Sequence, residues 1–208
     1  MSFDSPAALA WVATLADLVE ANASRLTDLD AAIGDGDHGF NLTRGFGAAR
    51  KVEGDTPGAV LAGVGRTLVS TVGGASGPLY GTFFRRVGKA LGDGESADAA
   101  SVGAALEAGV AGIQQLGKAE EGDKTMIDAM APAVRAYQEA LDGHADLAGA
   151  ALAAVGAARE GAAAAVPLQA RKGRASYLGE RSKDHADPGA ESAVLLFEAL
   201  ARVTGGTG

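Results

Sequence analysis

Apolar residues recur at three- and four-residue spacing in one stretch after another of this 208-residue chain, and strand-like alternation of β-branched residues is hard to find. The pattern predicts an all-α protein, with Ala and Gly between the larger side chains allowing tight helix contacts. Ser5-Pro6 reads as an N-cap with proline at the first helical position, opening a helix that runs to about residue 28 with Leu9, Val12, Ala16 and Val19 on one stripe. A second helix is expected from near Asn41, and Thr56-Pro57 opens a third carrying Val60, Val64 and Leu68. A fourth contains Leu79, Phe83, Val87 and Leu91, and a fifth Val102, Leu106, Val110 and Ile113. Thr125 and Asp128 resemble a capping box for a sixth, with Met126 and Met130 as core residues near its start. An Ala-rich helix from Leu147 to Ala165 carries Leu152 and Val155, and Asp187-Pro188 begins the last, with Val194, Phe197 and Ala201. With 47% hydrophobic residues, the expectation is one domain of about eight helices, antiparallel where the loops are short.

Between the first two helices lies a stretch of different character. Asp30, Asp35 and Asp37 stand within ten residues of one another, together with Gly34, Gly36 and Gly39, and are followed by His38 and Asn41. Three carboxylates so close repel unless a cation sits between them, and their hard oxygens suit Mg²⁺, Ca²⁺ or Mn²⁺. Turn residues would account for any one of them singly. Gly34, Gly36 and Gly39 match G-x-G-x-x-G, but a dinucleotide fold needs a preceding strand and would not aim two carboxylates at a pyrophosphate. A calcium loop beginning at Asp35 is excluded by Gly39, Phe40 and Phe46 at its key positions. Gly112 to Lys118 resembles a P-loop, yet Ala119 replaces the metal-binding hydroxyl and the run lies inside a helical pattern.

Two further features bear on chemistry. Gly73 to Gly77 precedes a helix, so free backbone N–H groups there could cradle a phosphate, although a plain helix-linking turn fits the glycines equally well. Residues 166–186 form a long connection bearing Arg171, Lys172, Arg174, Arg181 and Lys183, the composition of a lid or of a solvated basic loop. A metal site, a glycine turn before a helix and a basic segment suit phosphoryl transfer. The net charge of −8 argues against nucleic acid as a partner; the absence of cysteine removes soft-metal sites, and no apolar run marks a membrane span. A cytoplasmic enzyme is expected.

The motif D-x-x-I-G-D-G-D-H-G-x-N from Asp30 to Asn41 resembles the signature of the nucleotide-binding L subunit of dihydroxyacetone kinases. Gly73-Gly74-Ala75-Ser76-Gly77-Pro78-Leu79-Tyr80-Gly81, Gly122-Asp123-Lys124-Thr125-Met126-Ile127-Asp128 and Gly173 to Arg181 running on to Asp187-Pro188-Gly189-Ala190 resemble the same family, in order and across nearly the whole chain. The resemblance implies an antiparallel eight-helix barrel binding ADP or ATP at one end through two Mg²⁺ ions, with Asp30, Asp35 and Asp37 as their ligands. It also implies nucleotide contacts from His38, Gly39, Phe40 and Asn41, from Ala75 and Ser76, from Gly117 and Met126 beside the base, and from Arg174 with Asp187, Pro188 and Gly189 closing over it. Dihydroxyacetone would be held by a separate K subunit. In phosphotransferase-system-dependent members ADP is a resident cofactor recharged by a phosphoprotein M subunit, and a free-standing L-type chain fits that group. Alternatives are an ATP-consuming kinase of dihydroxyacetone or a related ketose, a metal-dependent phosphohydrolase, and a regulatory nucleotide-binding module. A homodimer also stays open.

Overall fold

The computed structural model describes residues 2–205, which form nine α-helices, one 3₁₀ helix and one pair of two-residue strands, β1 (Phe3–Asp4) and β2 (Ser96–Ala97). Helix α1 (Ser5–Ala21) is capped by Asp4 and not by Ser5: the Asp4 carboxylate accepts the Ala7 N–H at 2.9 Å. The expected first helix is broken at Asn22, whose side-chain amide donates to the Leu18 carbonyl at 2.8 Å while its backbone leaves the helical region. Helix α2 (Ala23–Ile33) then starts afresh, and this break is why there are nine α-helices and not eight. Helix α3 (His38–Ala49) begins three residues before Asn41, so only residues 34–37 of the acidic stretch are loop. Helices α4 (Pro57–Thr71), α5 (Ser76–Leu91), α6 (Ala99–Gly117), α7 (Ile127–Asp142), α8 (Leu147–Ala165) and α9 (Pro188–Val203) follow.

From α4 to α9 each helix packs on the next, and α9 packs on α1, which in turn reaches α3 and α4, so the helices close into a ring. Trp11, Phe46, Tyr80, Phe83 and Phe84 fill the middle, with Trp11 and Phe84 ring centres 5.6 Å apart and Phe83 and Phe84 5.3 Å apart. The buried Trp11 indole N–H donates to the Leu196 carbonyl at 3.0 Å, joining α1 to α9. Leu9 and Leu152 face outward, 37% and 39% exposed, because the buried stripes run through Ala8, Trp11, Leu15 and Val19 on α1 and through the small residues Ala150, Ala151, Ala154 and Ala158 on α8. None of the described helices is long and apolar enough to cross a membrane.

Antiparallel α4 and α5 meet through backbone. A Cβ on Gly88 would stand 2.5 Å from the Gly58 carbonyl oxygen and from the Ala62 nitrogen, neither of which can move alone. Gly88→Ala is therefore expected to destabilise by about 2 kcal/mol despite alanine's better helix propensity, lowering Tm by roughly 4–8 °C in a thermal melt. An unchanged or raised Tm would show that the two helices can separate freely.

Residues 166–186 are not a structureless loop. They contain the 3₁₀ helix Arg174–Ser182, and Ala170 and Ala175 pack on Ile33 of α2 in a small apolar cluster of their own. Ser182 Oγ accepts the Ala170 N–H at 2.9 Å and donates to the Gly179 carbonyl, and Asp184 N–H donates to the Val166 carbonyl, closing the segment into a strap.

Candidate functional site

Asp30 sits in the last turn of α2 and is buried, yet its carboxylate is not idle. One oxygen accepts the backbone N–H groups of Asp37 and His38 at 2.9 and 3.2 Å, two of the donors left without partners at the start of α3. The Asp37 side chain, at the N-cap position, makes no capping bond of its own and remains available. Gly34 is required beside Asp30, because a Cβ there would overlap the Asp30 carboxylate. The turn so formed brings one oxygen from each of Asp30, Asp35 and Asp37 within 4.8 Å of the others, with Asp35 and Asp37 exposed. The repulsion is relieved at one corner by Arg174, whose Nη2 lies 2.9 Å from Asp35 Oδ2. Three hard oxygens converging on one point, already drawing in a guanidinium, fit a divalent cation such as Mg²⁺.

The three carboxylates form one side of a cleft of about 510 Å³. Four helix N-termini converge on it, those of α3, α5, α7 and α9, so the positive ends of four backbone dipoles face the same space. At α5 the N-cap Ala75 provides no side-chain cap, and Gly74 takes φ +64°, a turn that glycine makes without strain. The α9 terminus is capped by Asp187, which accepts the Ala190 N–H at 2.7 Å. Desolvation of the Asp187 carboxyl, reinforced by Asp128 and Asp30 and opposed by the Ala190 N–H and Lys124, pushes its pKa up to about 7. Leu79, Ile113, Leu116, Met126 and Ile127 give the same cleft an apolar part of its lining.

Of the residues expected to touch nucleotide, His38, Ala75, Ser76, Gly117, Met126, Arg174, Asp187, Pro188 and Gly189 all line the cleft. Gly39, Phe40 and Asn41 do not. Gly39 faces α2, where a Cβ would overlap the Ala23 carbonyl and come 2.6 Å from Thr27 Oγ1. Phe40 points outward and is 62% exposed. Asn41 is buried against Gly73 and accepts from the Arg44 guanidinium at 2.6 Å, so it supports the glycine turn from behind.

One lining residue stood in the Gly122–Asp128 stretch without being given a role of its own. Lys124 is 1% exposed, takes φ +61°, and its ammonium donates to the Val166 and Leu168 carbonyls at 2.6 and 2.9 Å, anchoring the base of the strap. Burial pushes its pKa down, against Asp187, Asp184 and Asp128, which pull it up. Its turn is held by Asp128, which accepts the Gly122 and Thr125 N–H groups at 2.6 and 2.7 Å. Thr125 and Asp128 thus form only half of a capping box: Thr125 Oγ1 accepts from Ile127 and not from Asp128, and α7 begins one residue later than a full box would place it. Lys118, in the left-handed region at φ +50°, terminates α6 and confirms that no P-loop turn exists there.

A model of the DAK2 domain matches residues 32–202. The chain is 46% identical over 205 residues to the ADP-binding subunit DhaL of PEP-dependent dihydroxyacetone kinase 1 from Listeria innocua, covering 96% of this chain and 97% of the relative. It is 40% identical over 208 residues to the corresponding Escherichia coli subunit, covering 97% and 98%. The fold is similar to the crystal structure of the dihydroxyacetone kinase from C. freundii in complex with AMP-PNP and Mg²⁺, with a TM-score of 0.68 and 29% identity over 96% of this chain and 33% of that one. The chain belongs to the DAK2 domain family and is a relative of the ADP-binding DhaL subunits of dihydroxyacetone kinases.

Proposed function

We propose that this chain is the nucleotide-binding subunit of a dihydroxyacetone kinase, holding ADP and Mg²⁺ at the mouth of the cleft and passing a phosphoryl group to dihydroxyacetone carried by a K-type partner. The observation that carries the reading is the meeting of Asp30, Asp35 and Asp37 with the uncapped start of α5 in one cleft, in a chain similar over almost its full length to ADP-binding subunits. Asp30, Asp35 and Asp37 would hold two Mg²⁺ ions, which supply charge neutralisation to the phosphoryl oxygens. Backbone N–H groups at the start of α5 would hold the phosphates, and the apolar side chains of Leu79, Ile113, Leu116 and Met126 would receive the flat base. Arg174, now paired with Asp35, would be free to bind a phosphate oxygen if a cation took its place there.

The similarity to PEP-dependent subunits favours ADP as a resident cofactor, recharged by an M-type phosphoryl-donor protein. Departure of ADP would then break several charge-assisted contacts at once, which makes it slow. The protein is expected to purify with ADP detectable by mass spectrometry and to exchange labelled ADP more slowly than it turns over. Exchange as fast as turnover would assign it instead to the ATP-consuming kinases.

A further inference from the structure

The turn from α4 to α5 has a front and a back. Gly73, Gly74, Ala75 and Ser76 line the cleft, whereas Asn41 and Arg44 of α3 stand behind them and do not. Helix α3 comes this close because Gly45 has no side chain: a Cβ there would overlap Val72, the residue between α4 and the glycines.

Arg44 is exposed, yet its guanidinium is committed to that turn. Nε donates to the Thr71 carbonyl at 2.9 Å and Nη2 to Asn41 Oδ1 at 2.6 Å. Among the described residues no carboxylate pairs with it, so the fork is given to two neutral oxygens. The two acceptors differ in kind. Thr71 is the last residue of α4, and its carbonyl is one of those that a helix end leaves without an internal donor; Arg44 supplies that donor from another helix. Asn41 is buried, and because a guanidinium can only donate, the amide oxygen must face Arg44. The amide is thereby set face-on against Gly73, where a Cβ would meet Oδ1, Cγ and Nδ2 at 3.0, 3.2 and 3.2 Å. One side chain thus fixes both where α4 stops and what the following turn rests on. Only Val72, Gly73, Gly74 and Ala75 separate that held carbonyl from α5, whose first N–H groups have no side-chain cap.

We propose that Arg44 is a positioning residue for phosphate binding: from α3 it holds the end of α4 and the Asn41 amide, and so aims the N–H groups at the start of α5 into the cleft. It acts through the turn and lies outside the cleft itself. This inference rests on the nucleotide reading for what occupies the cleft but not for how the turn is held.

Calorimetry with two ligands that share their phosphates, Mg-ADP and Mg-pyrophosphate, tests the role. Arg44→Ala is expected to lose about 10-fold in affinity for both alike, with helicity unchanged by circular dichroism. Arg44→Lys is expected to recover no more than about half of that loss on a logarithmic scale, because an ammonium is a point donor and does not span two acceptors as the guanidinium fork does. Unchanged affinity for both ligands, a loss confined to ADP, full recovery with lysine, or a loss of helicity overturns the proposal. A second measurement needs no ligand. The Val72 N–H closes the last hydrogen bond of α4, on the Leu68 carbonyl at 3.0 Å, and it stands directly before the glycines. In the ligand-free protein its hydrogen exchange is expected to quicken at least about 5-fold in Arg44→Ala, with exchange in the middle of α1 unchanged. Equal exchange at Val72 in the two proteins overturns the proposal without touching the nucleotide reading. A wild-type protein with no affinity for either ligand would contradict the nucleotide reading and the phosphate role with it, and the exchange rates would still decide whether Arg44 holds the turn.

Discussion

Asp30→Asn is expected to lower the affinities for Mg²⁺ and ADP together by at least about 100-fold, since even groups that only orient metal ligands are worth 10- to 100-fold. The amide removes the charge from the one buried member of the triplet and sets an NH₂ group in competition with the Asp37 and His38 N–H donors now received by the carboxylate. Asp35→Asn and Asp37→Asn should each cost about 10- to 100-fold, because they are exposed and solvent softens the loss. Asp35→Asn also frees Arg174 from its ion pair. Calorimetry of ADP with and without Mg²⁺ reads both affinities, and circular dichroism should report near-normal helicity. Unchanged ADP affinity in all three variants would remove the metal assignment.

Lys124→Met should produce the largest loss of stability at a single side chain near the site, about 3 kcal/mol. Two charge-assisted hydrogen bonds vanish, the Leu168 carbonyl loses its ammonium donor, and the Val166 carbonyl keeps only Asp184 N–H. The strap carries Arg174 and leads directly into Asp187, so its loosening should also speed ADP release. Lys124→Gly separates the causes: it relieves the left-handed backbone at φ +61° but removes the same ammonium. Both variants should therefore release ADP faster than wild type, with Lys124→Gly the more stable in urea. Normal release from both would mean that the strap is held without Lys124, by the Ile33–Ala170–Ala175 cluster and the Arg174–Asp35 pair.

Helix positions were legible where the signal was local. Pro57 and Pro188 behind Thr56 and Asp187 mark true N-termini, and the Val102, Leu106, Val110 and Ile113 stripe is buried throughout. What failed was whatever depended on a partner distant in sequence. Leu9 looks like a core residue until Trp11 claims the interior by reaching Leu196 on α9. The first helix seemed continuous because nothing at Asn22 announces that its side chain will take the Leu18 carbonyl. Within the acidic stretch the three carboxylates were visible as a group, but the division of labour, with Asp30 holding the start of α3 and Asp35 paired with Arg174, needed the fold. Gly39, Phe40 and Asn41 follow His38 in the motif but do not line the cleft: Gly39 packs on α2, Phe40 is exposed and Asn41 is buried against Gly73. Lys124 was visible in the Gly122–Asp128 stretch, but its anchoring role was not, since a lysine between two helices ordinarily reads as solvated.

The central claim is that the chain transfers phosphate only as one part of a larger kinase, and reconstitution measures that directly. Dihydroxyacetone phosphorylation should be absent with this chain and ATP alone, absent with the K-type partner alone, and restored when both are present together with a phosphorylated M-type donor, ADP staying bound through many turnovers. Phosphate released or dihydroxyacetone phosphorylated by this chain without any partner would contradict it.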